Sequence, residues 1–213
     1  MGIYIEALIL YILLFFSGSA AVVTGAEAAD FSAVAALTRI FLYLIPSLAL
    51  VWYLLVRSWK VEFWGVRPGK KDLVSGLITL PCLLITGAVI AFASSYIGGP
   101  SANMRLQSPS TAAEWAVLVL FCLFSAYLEE SYFRFYLLSK REELNLNASS
   151  ALALSVALFS VCHIYEGPWG FLNAVISGTI LGFIFLRYNS LHGIAIAHGL
   201  YNIAAYILNA VMN

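Results

Sequence analysis

The residues in this chain whose types and spacing could do chemistry lie where an apolar protein should not tolerate them. "YLEESYFR", residues 127–134, carries Glu129, Glu130 and Arg134 inside an otherwise apolar run; "LFSVCHIYEG" carries Phe159 and His163; "AHGLYN" carries His198 and Asn202. Each acid or base near a bilayer centre costs about 2.5–3.5 kcal/mol on insertion scales, so something must offset these charges or function must require them. Glu130 and Arg134 are four residues apart and share a helix face, which predicts an ion pair. Glu129 lies about 100° round the helix and is left as the free carboxylate. The trio could also be a structural network that glues helices together. Phe159 sits one turn before His163, and His198 one turn before Asn202, each pair on one face.

A free carboxylate, two imidazoles and an amide, shielded from bulk water, suit hydrolysis of a peptide bond. Glu129 would act as general base on a water that His163 helps hold. His198 and Asn202 would donate hydrogen bonds to the oxyanion of the tetrahedral intermediate. The same groups leave a metal alternative open: His163, His198 and either Glu129 or Glu130 could ligate Zn, with the other glutamate as base. The chain has no HExxH motif and Asn is a poor zinc ligand, so the version without a cofactor is favoured. There is no GxSG, and Asp30 and Asp72 fall at span ends rather than forming an aspartate pair. Cys162 adjoins His163, but consecutive helical side chains diverge, so they form no ready dyad. Cys82, Cys122 and Cys162 read as buried small apolar residues, and His192 as interfacial.

The elements that must position these groups are transmembrane helices. Of 213 residues, 62% are hydrophobic and 10% charged, and the mean hydropathy is +0.91, which excludes a soluble domain. The net charge is zero and no basic run appears, so no nucleic-acid partner is expected. Apolar windows at about 3–26, 32–56, 73–97, 112–139, 148–165, 169–187 and 190–211 predict an all-α polytopic bundle of about seven spans, with six or eight also open. The first window is too long, and lacks the basic flank, for a secretory signal. Residues 1–213 form a single membrane domain: 1–97 supply N-terminal spans and 112–211 the core that holds the polar residues. "WKVEFWGVRPGKKD" between the second and third spans predicts an interfacial amphipathic segment.

Arg57, Lys60, Arg67, Lys70, Lys71, Lys140, Arg141 and Arg187 fall in alternate loops; the opposite loops hold Arg105 with Glu27, Asp30 and Glu166. The bias puts the N-terminus in the cytoplasm and the C-terminus outside. By helical rise, Glu129, His198 and Asn202 share a level, while His163 falls nearer the far side. "ISGTILGF" holds Gly178 and Gly182 in a GxxxG that would pack one span beside the site. Asn173 is a candidate to face the site, and Arg39 has no evident partner.

The three motifs, EExxxR in "EESYFR", FxxxH in "FSVCH" and HxxxN in "HGLYN", resemble in order and spacing those of the CAAX protease and bacteriocin-processing (CPBP) family, over roughly Ala112 to Asn209. "FWGVRPGKKD" also looks like the segment that often precedes that family's core. The resemblance implies that Glu129 activates water with His163 as its partner, that Glu130, Arg134 and Phe159 support them, and that His198 and Asn202 stabilise the oxyanion. It implies an intramembrane endopeptidase acting on a membrane-associated peptide or protein, prenylated of CAAX type or a leader peptide, in a prokaryotic cell membrane. Some members of the family are described as metalloproteases, so the resemblance leaves Zn open. Two other readings are a non-catalytic immunity or scaffold member of that family and a proton-coupled transporter that uses the Glu and His residues as a relay.

Overall fold

A computed structural model describes residues 2–24, 31–59, 67–97 and 108–212. Most of the expected interfacial segment (60–66), with Lys60, and the loop residues Glu27, Asp30 and Arg105 lie outside the described residues. Among the described residues the chain is all helical and forms seven helical rods. They are α1 (Ile3–Thr24); α2 (Ala33–Arg39) continuing through a π-helix (Ile40–Leu44) into α3 (Ile45–Trp59); α4 (Lys70–Ile97); α5 (Ala112–Glu130) continuing through a second π-helix (Ser131–Tyr136) into α6 (Leu137–Ser139); α7 (Ala148–Cys162); α8 (Gly167–Tyr188), preceded by a 3-10 turn (Ile164–Glu166); and α9 (Leu191–Met212). Five stretches, Ala33–Arg57, Lys70–Ile97, Ala112–Ser139, Ile164–Tyr188 and Leu191–Val211, are long and apolar enough to cross a membrane. The chain is a multi-pass membrane protein.

Local sequence accounts for several boundaries. Thr111 caps α5 with a full capping box: its hydroxyl accepts from the Glu114 backbone, and the Glu114 carboxylate accepts in return from the Thr111 backbone. This satisfies donors that a helix start leaves open. Asn147 caps α7 by accepting from Ser150 N at 2.8 Å. The first π-helix ends at Leu44, two residues before Pro46, which has no N–H to continue an α-helical ladder. The second begins immediately after Glu130, and a single wide turn inside an otherwise α-helical span is the kind of irregularity often found at functional sites.

The α5–π–α6 rod is the axis of the bundle. Tyr132, Phe133, Arg134 and Tyr136 are each fully buried, because α1, α3, α7, α8 and α9 surround this turn. α1 is tied to it by long-range hydrogen bonds, from Tyr132 OH to Ala7 O at 2.7 Å and from Tyr136 OH to Glu6 Oε1 at 2.6 Å. Lys140 also reaches Glu6 at 3.3 Å and is only 1% exposed. Its sequence position predicts a loop cation that sets orientation, yet it is a buried ion-pair partner. On the opposite side α4 packs along α9. There Asp72 accepts from Gly69 N at 2.8 Å and from Ser190 Oγ at 2.6 Å, while Ser75 Oγ donates to Ser190 Oγ at 2.7 Å. This buried knot locks the start of α4 to the start of α9.

Candidate active site

Three of the seven rods bring the polar residues together. α5 ends with Glu129 and Glu130, the π-turn adds Arg134, the end of α7 brings Phe159 and His163, and α9 brings His198 and Asn202. Glu130 and Arg134 pair at 3.1 Å, both fully buried. Arg134 Nη2 also donates to Gly178 O at 3.2 Å, and its guanidinium lies 4.3 Å from the Phe159 ring centroid. That stack depends on Gly178: a Cβ there would stand 3.0 Å from Phe159 and 3.3 Å from Arg134 Nη2. The GxxxG stripe thus packs α8 against the buried arginine, with Gly182 facing Leu152 of α7.

Glu130 has a second partner that the sequence did not reveal. His198 Nδ1 lies 2.8 Å from Glu130 Oε1, the oxygen that also faces Arg134. A carboxylate accepts, so His198 Nδ1 carries the proton and the other ring nitrogen is turned elsewhere. That nitrogen, Nε2, lies 3.9 Å from Glu129 Oε2. His198 therefore stands between the two glutamates, with one nitrogen toward each. The helices come this close because Gly199 presses against α5, where a Cβ would stand 2.8 Å from the Leu123 side chain and 3.4 Å from Cys122 O.

Glu129 is held more loosely. Its Oε1 accepts from Ser125 Oγ at 3.1 Å, one turn earlier on α5. Its Oε2 is buried and, among the described residues, has no hydrogen-bond partner, although the side chain as a whole is 17% exposed. A buried carboxylate oxygen without a donor is costly unless water or a ligand supplies one.

His163 is not in a helix but caps α7, with φ −102° and ψ 7°. Counting residues along a straight helix places it nearer the far side than the other groups, and its link to them in the structure runs through the Phe159 ring. Its Nδ1 lies 2.8 Å from Phe159 O, and a carbonyl accepts, so Nδ1 is protonated and Nε2 is the acceptor in the neutral ring. The Phe159 ring sits 4.5 Å from His163 and 6.0 Å from His198, a wedge between the two imidazoles. Among the described residues no hydrogen bond joins His163 to Glu129. Asn202 is half-buried one turn beyond His198, and no hydrogen bond among the described residues commits its amide. Among the described residues no group of three His, Cys, Asp or Glu side chains converges as a metal-binding set.

The remaining candidates are placed elsewhere. Cys162 Sγ donates to Leu158 O at 3.2 Å and lies 3.5 Å from Tyr11 OH, in the packing between α7 and α1. His192 is half-buried, with Nδ1 3.1 Å from Tyr127 OH. Asn173 accepts from Tyr201 OH at 3.1 Å, linking α8 to α9. Two residues near the site were not singled out from the sequence: Tyr165, whose ring stacks on His163 at 6.3 Å, and Glu166, which had read as a loop acid but packs over Gly170 within the candidate span Ile164–Tyr188. Both follow His163 on the 3-10 turn, and no periodicity in "HIYEG" foretells the turn that folds them back. An apolar hollow of about 270 Å³, lined by Ile164, Gly167, Pro168 and Phe171, opens beside it.

No curated protein and no solved structure matches the chain. Residues 111–204, which contain all three motifs, match the family model described as Type II CAAX prenyl endopeptidase Rce1-like, in agreement with the CPBP resemblance of those motifs.

Proposed function

We propose that the chain is an intramembrane endopeptidase that hydrolyses a peptide bond in a membrane-associated substrate with a water activated by Glu129. The observation that carries this reading is the contrast between the two glutamates. Each keeps a buried Oε2 without a hydrogen-bond partner among the described residues, but Glu130 is fully buried with its Oε1 held by both Arg134 and His198, whereas Glu129 accepts only from Ser125, is 17% exposed and turns its Oε2 toward the second nitrogen of His198.

In this mechanism a water sits between Glu129 Oε2 and His163 Nε2, the acceptor nitrogen once Nδ1 donates to Phe159 O. Glu129 takes one proton as the water oxygen attacks the scissile carbonyl. The oxyanion receives hydrogen bonds from the Asn202 amide and from His198 Nε2–H. Because Nδ1–H already goes to Glu130, the His198 contribution requires the doubly protonated ring. Glu129 then returns its proton to the leaving amine, and the C–N bond breaks. Glu130 and Arg134 hold His198 at the right height. The reading favours a Glu-activated water without a metal; a Zn form would recruit His163 and His198. The apolar hollow next to His163 suits an apolar group carried by the substrate, consistent with a prenylated peptide.

The transporter alternative would string polar groups along a path, whereas Glu129, Glu130, Arg134 and His198 cluster around one imidazole. The test compares wild type with Glu129→Gln and His163→Ala on a prenylated peptide in detergent, with and without chelator. Full cleavage by Glu129→Gln would sink the reading. Proton flux in liposomes without any hydrolysis would favour transport instead.

A further inference from the structure

The stretch that follows His163, "IYEGPWG", belongs to none of the three motifs, and the proposed chemistry does not use it. Its backbone is nevertheless closely determined. His163 caps α7, and Glu166 N donates to His163 O at 3.0 Å to close the 3-10 turn. Gly167 then takes φ 79° and ψ −177°, a conformation essentially confined to glycine. Pro168 lies in the first turn of α8, where its missing N–H costs no hydrogen bond. Gly170 clears space one turn on: a Cβ there would collide with Glu166 Cβ and stand 2.9 Å from Glu166 Oε2. α1 also packs against this turn.

The turn folds Tyr165 back onto His163. Their ring centroids are 6.3 Å apart and the planes 20° from parallel. The Tyr165 hydroxyl and the Glu166 carboxylate are close enough to interact, and both groups lie within electrostatic reach of Glu129. His163 needs support of this kind, because it stands at a helix end, where regular hydrogen bonding stops. Among the described residues its ring makes one hydrogen bond, from Nδ1 to Phe159 O at 2.8 Å. A single bond fixes one nitrogen and leaves the ring free to swing about the line to its partner. The Phe159 ring, 4.5 Å away and tilted by 44°, limits that swing, and the Tyr165 ring limits it further. Aromatic rings at these separations attract in tilted and offset geometries.

We propose that the turn after His163 is part of the active site, with Tyr165 a positioning residue whose ring fixes the tilt of the His163 imidazole, and with Glu166, Gly167 and Gly170 holding Tyr165 in place. This proposal rests on the peptidase reading and adds to it what aims His163 Nε2. Tyr165 acts through His163 and takes no part in the bond-breaking step. The ring, rather than the hydroxyl, is the working group.

The test uses the full chain in detergent. The protein has three histidines, His163, His192 and His198, so ring signals of carbon-13-labelled histidine can be assigned by replacing each in turn. Tyr165→Leu should shift or broaden the His163 signal and leave those of His192 and His198 in place. Tyr165→Phe, which keeps the ring, should leave all three as in wild type. On an S-farnesyl peptide, Tyr165→Leu should lower kcat at least about tenfold with KM little changed, as a small misplacement of a catalytic group does. Tyr165→Phe should restore kcat to within about threefold. Gly170→Ala, which pushes on Glu166 and leaves Tyr165 intact, should disturb the same His163 signal and lower kcat in the same way. An unchanged His163 signal in Tyr165→Leu overturns the proposal, as does a shifted signal with unchanged kcat. Equal loss of kcat in Tyr165→Phe and Tyr165→Leu assigns the effect to the hydroxyl and overturns it too. If all three histidine signals move together, or Tyr165→Leu does not fold and Gly170→Ala leaves His163 undisturbed, Tyr165 serves only the fold and the proposal falls. If wild type cleaves nothing, the peptidase reading falls, and the histidine signals alone decide whether Tyr165 holds His163.

Discussion

His198 Nδ1 lies 2.8 Å from Glu130 Oε1, so a histidine on the last helix is joined to the carboxylate that also holds Arg134. This bond links α9 to the charged core of α5, and it divides two adjacent glutamates into one that is consumed and one that is available.

Glu129→Gln and Glu130→Gln should therefore behave differently. The first should lower turnover by about 10²–10⁴-fold, the weight of a general base, while the melting temperature in detergent stays within a few degrees. The second breaks a buried charge network and should cost about 3–5 kcal/mol as well as activity. Turnover and thermal unfolding measured on the same preparations check both. Normal stability with lost activity in Glu130→Gln would contradict the division of labour.

Arg134 offers a double-mutant test. Arg134→Met leaves Glu130 charged and buried, whereas Glu130→Leu combined with Arg134→Met removes both charges. The double variant should be the more stable of the two, because replacing a buried pair by apolar groups is often neutral while breaking one is not. Both should be inactive, since His198 loses its support. An active double variant would show that the pair has no positioning role.

Gly199→Ala probes helix approach next to His198. The added methyl meets Leu123 and the Cys122 carbonyl, so α9 must shift away from α5 or Leu123 must move. A displacement near 1 Å at a catalytic group can cost about 10²-fold in rate. Turnover should fall much more than melting temperature does. Equal activity would mean that the Leu123 side chain absorbs the methyl.

The Asp72 knot predicts a purely structural loss. Ser190→Ala removes the donor to a buried carboxylate oxygen and should destabilise by about 1–3 kcal/mol. Thermal unfolding should register this, while kcat at low temperature changes little. A large kcat effect at full occupancy would give the knot a share in placing His198.

A chelator series separates the two forms of water activation. Activity should survive prolonged treatment with chelator. Loss that only zinc restores would replace the Glu-activated water by a metal-bound one and make His163 and His198 ligands.

Much of this was legible in the residues themselves. Apolar windows located the seven rods to within a few residues, because in a bilayer the backbone must satisfy itself and helix is the form available to a single apolar segment. The i,i+4 spacing announced the Glu130–Arg134 contact, since helical geometry alone makes it. Three motifs in order named the residues to examine. What the sequence could not carry were relationships between distant segments. That His198 lies between the two glutamates, that Gly178 makes room for Arg134 on Phe159, that Lys140 is buried against Glu6 and that Arg39 stands over Phe121 all depend on how helices far apart in the chain come together. The π-turn after Glu130 and the break at His163 belong to the same class: local periodicity describes regular helices, and only packing decides where regularity is given up.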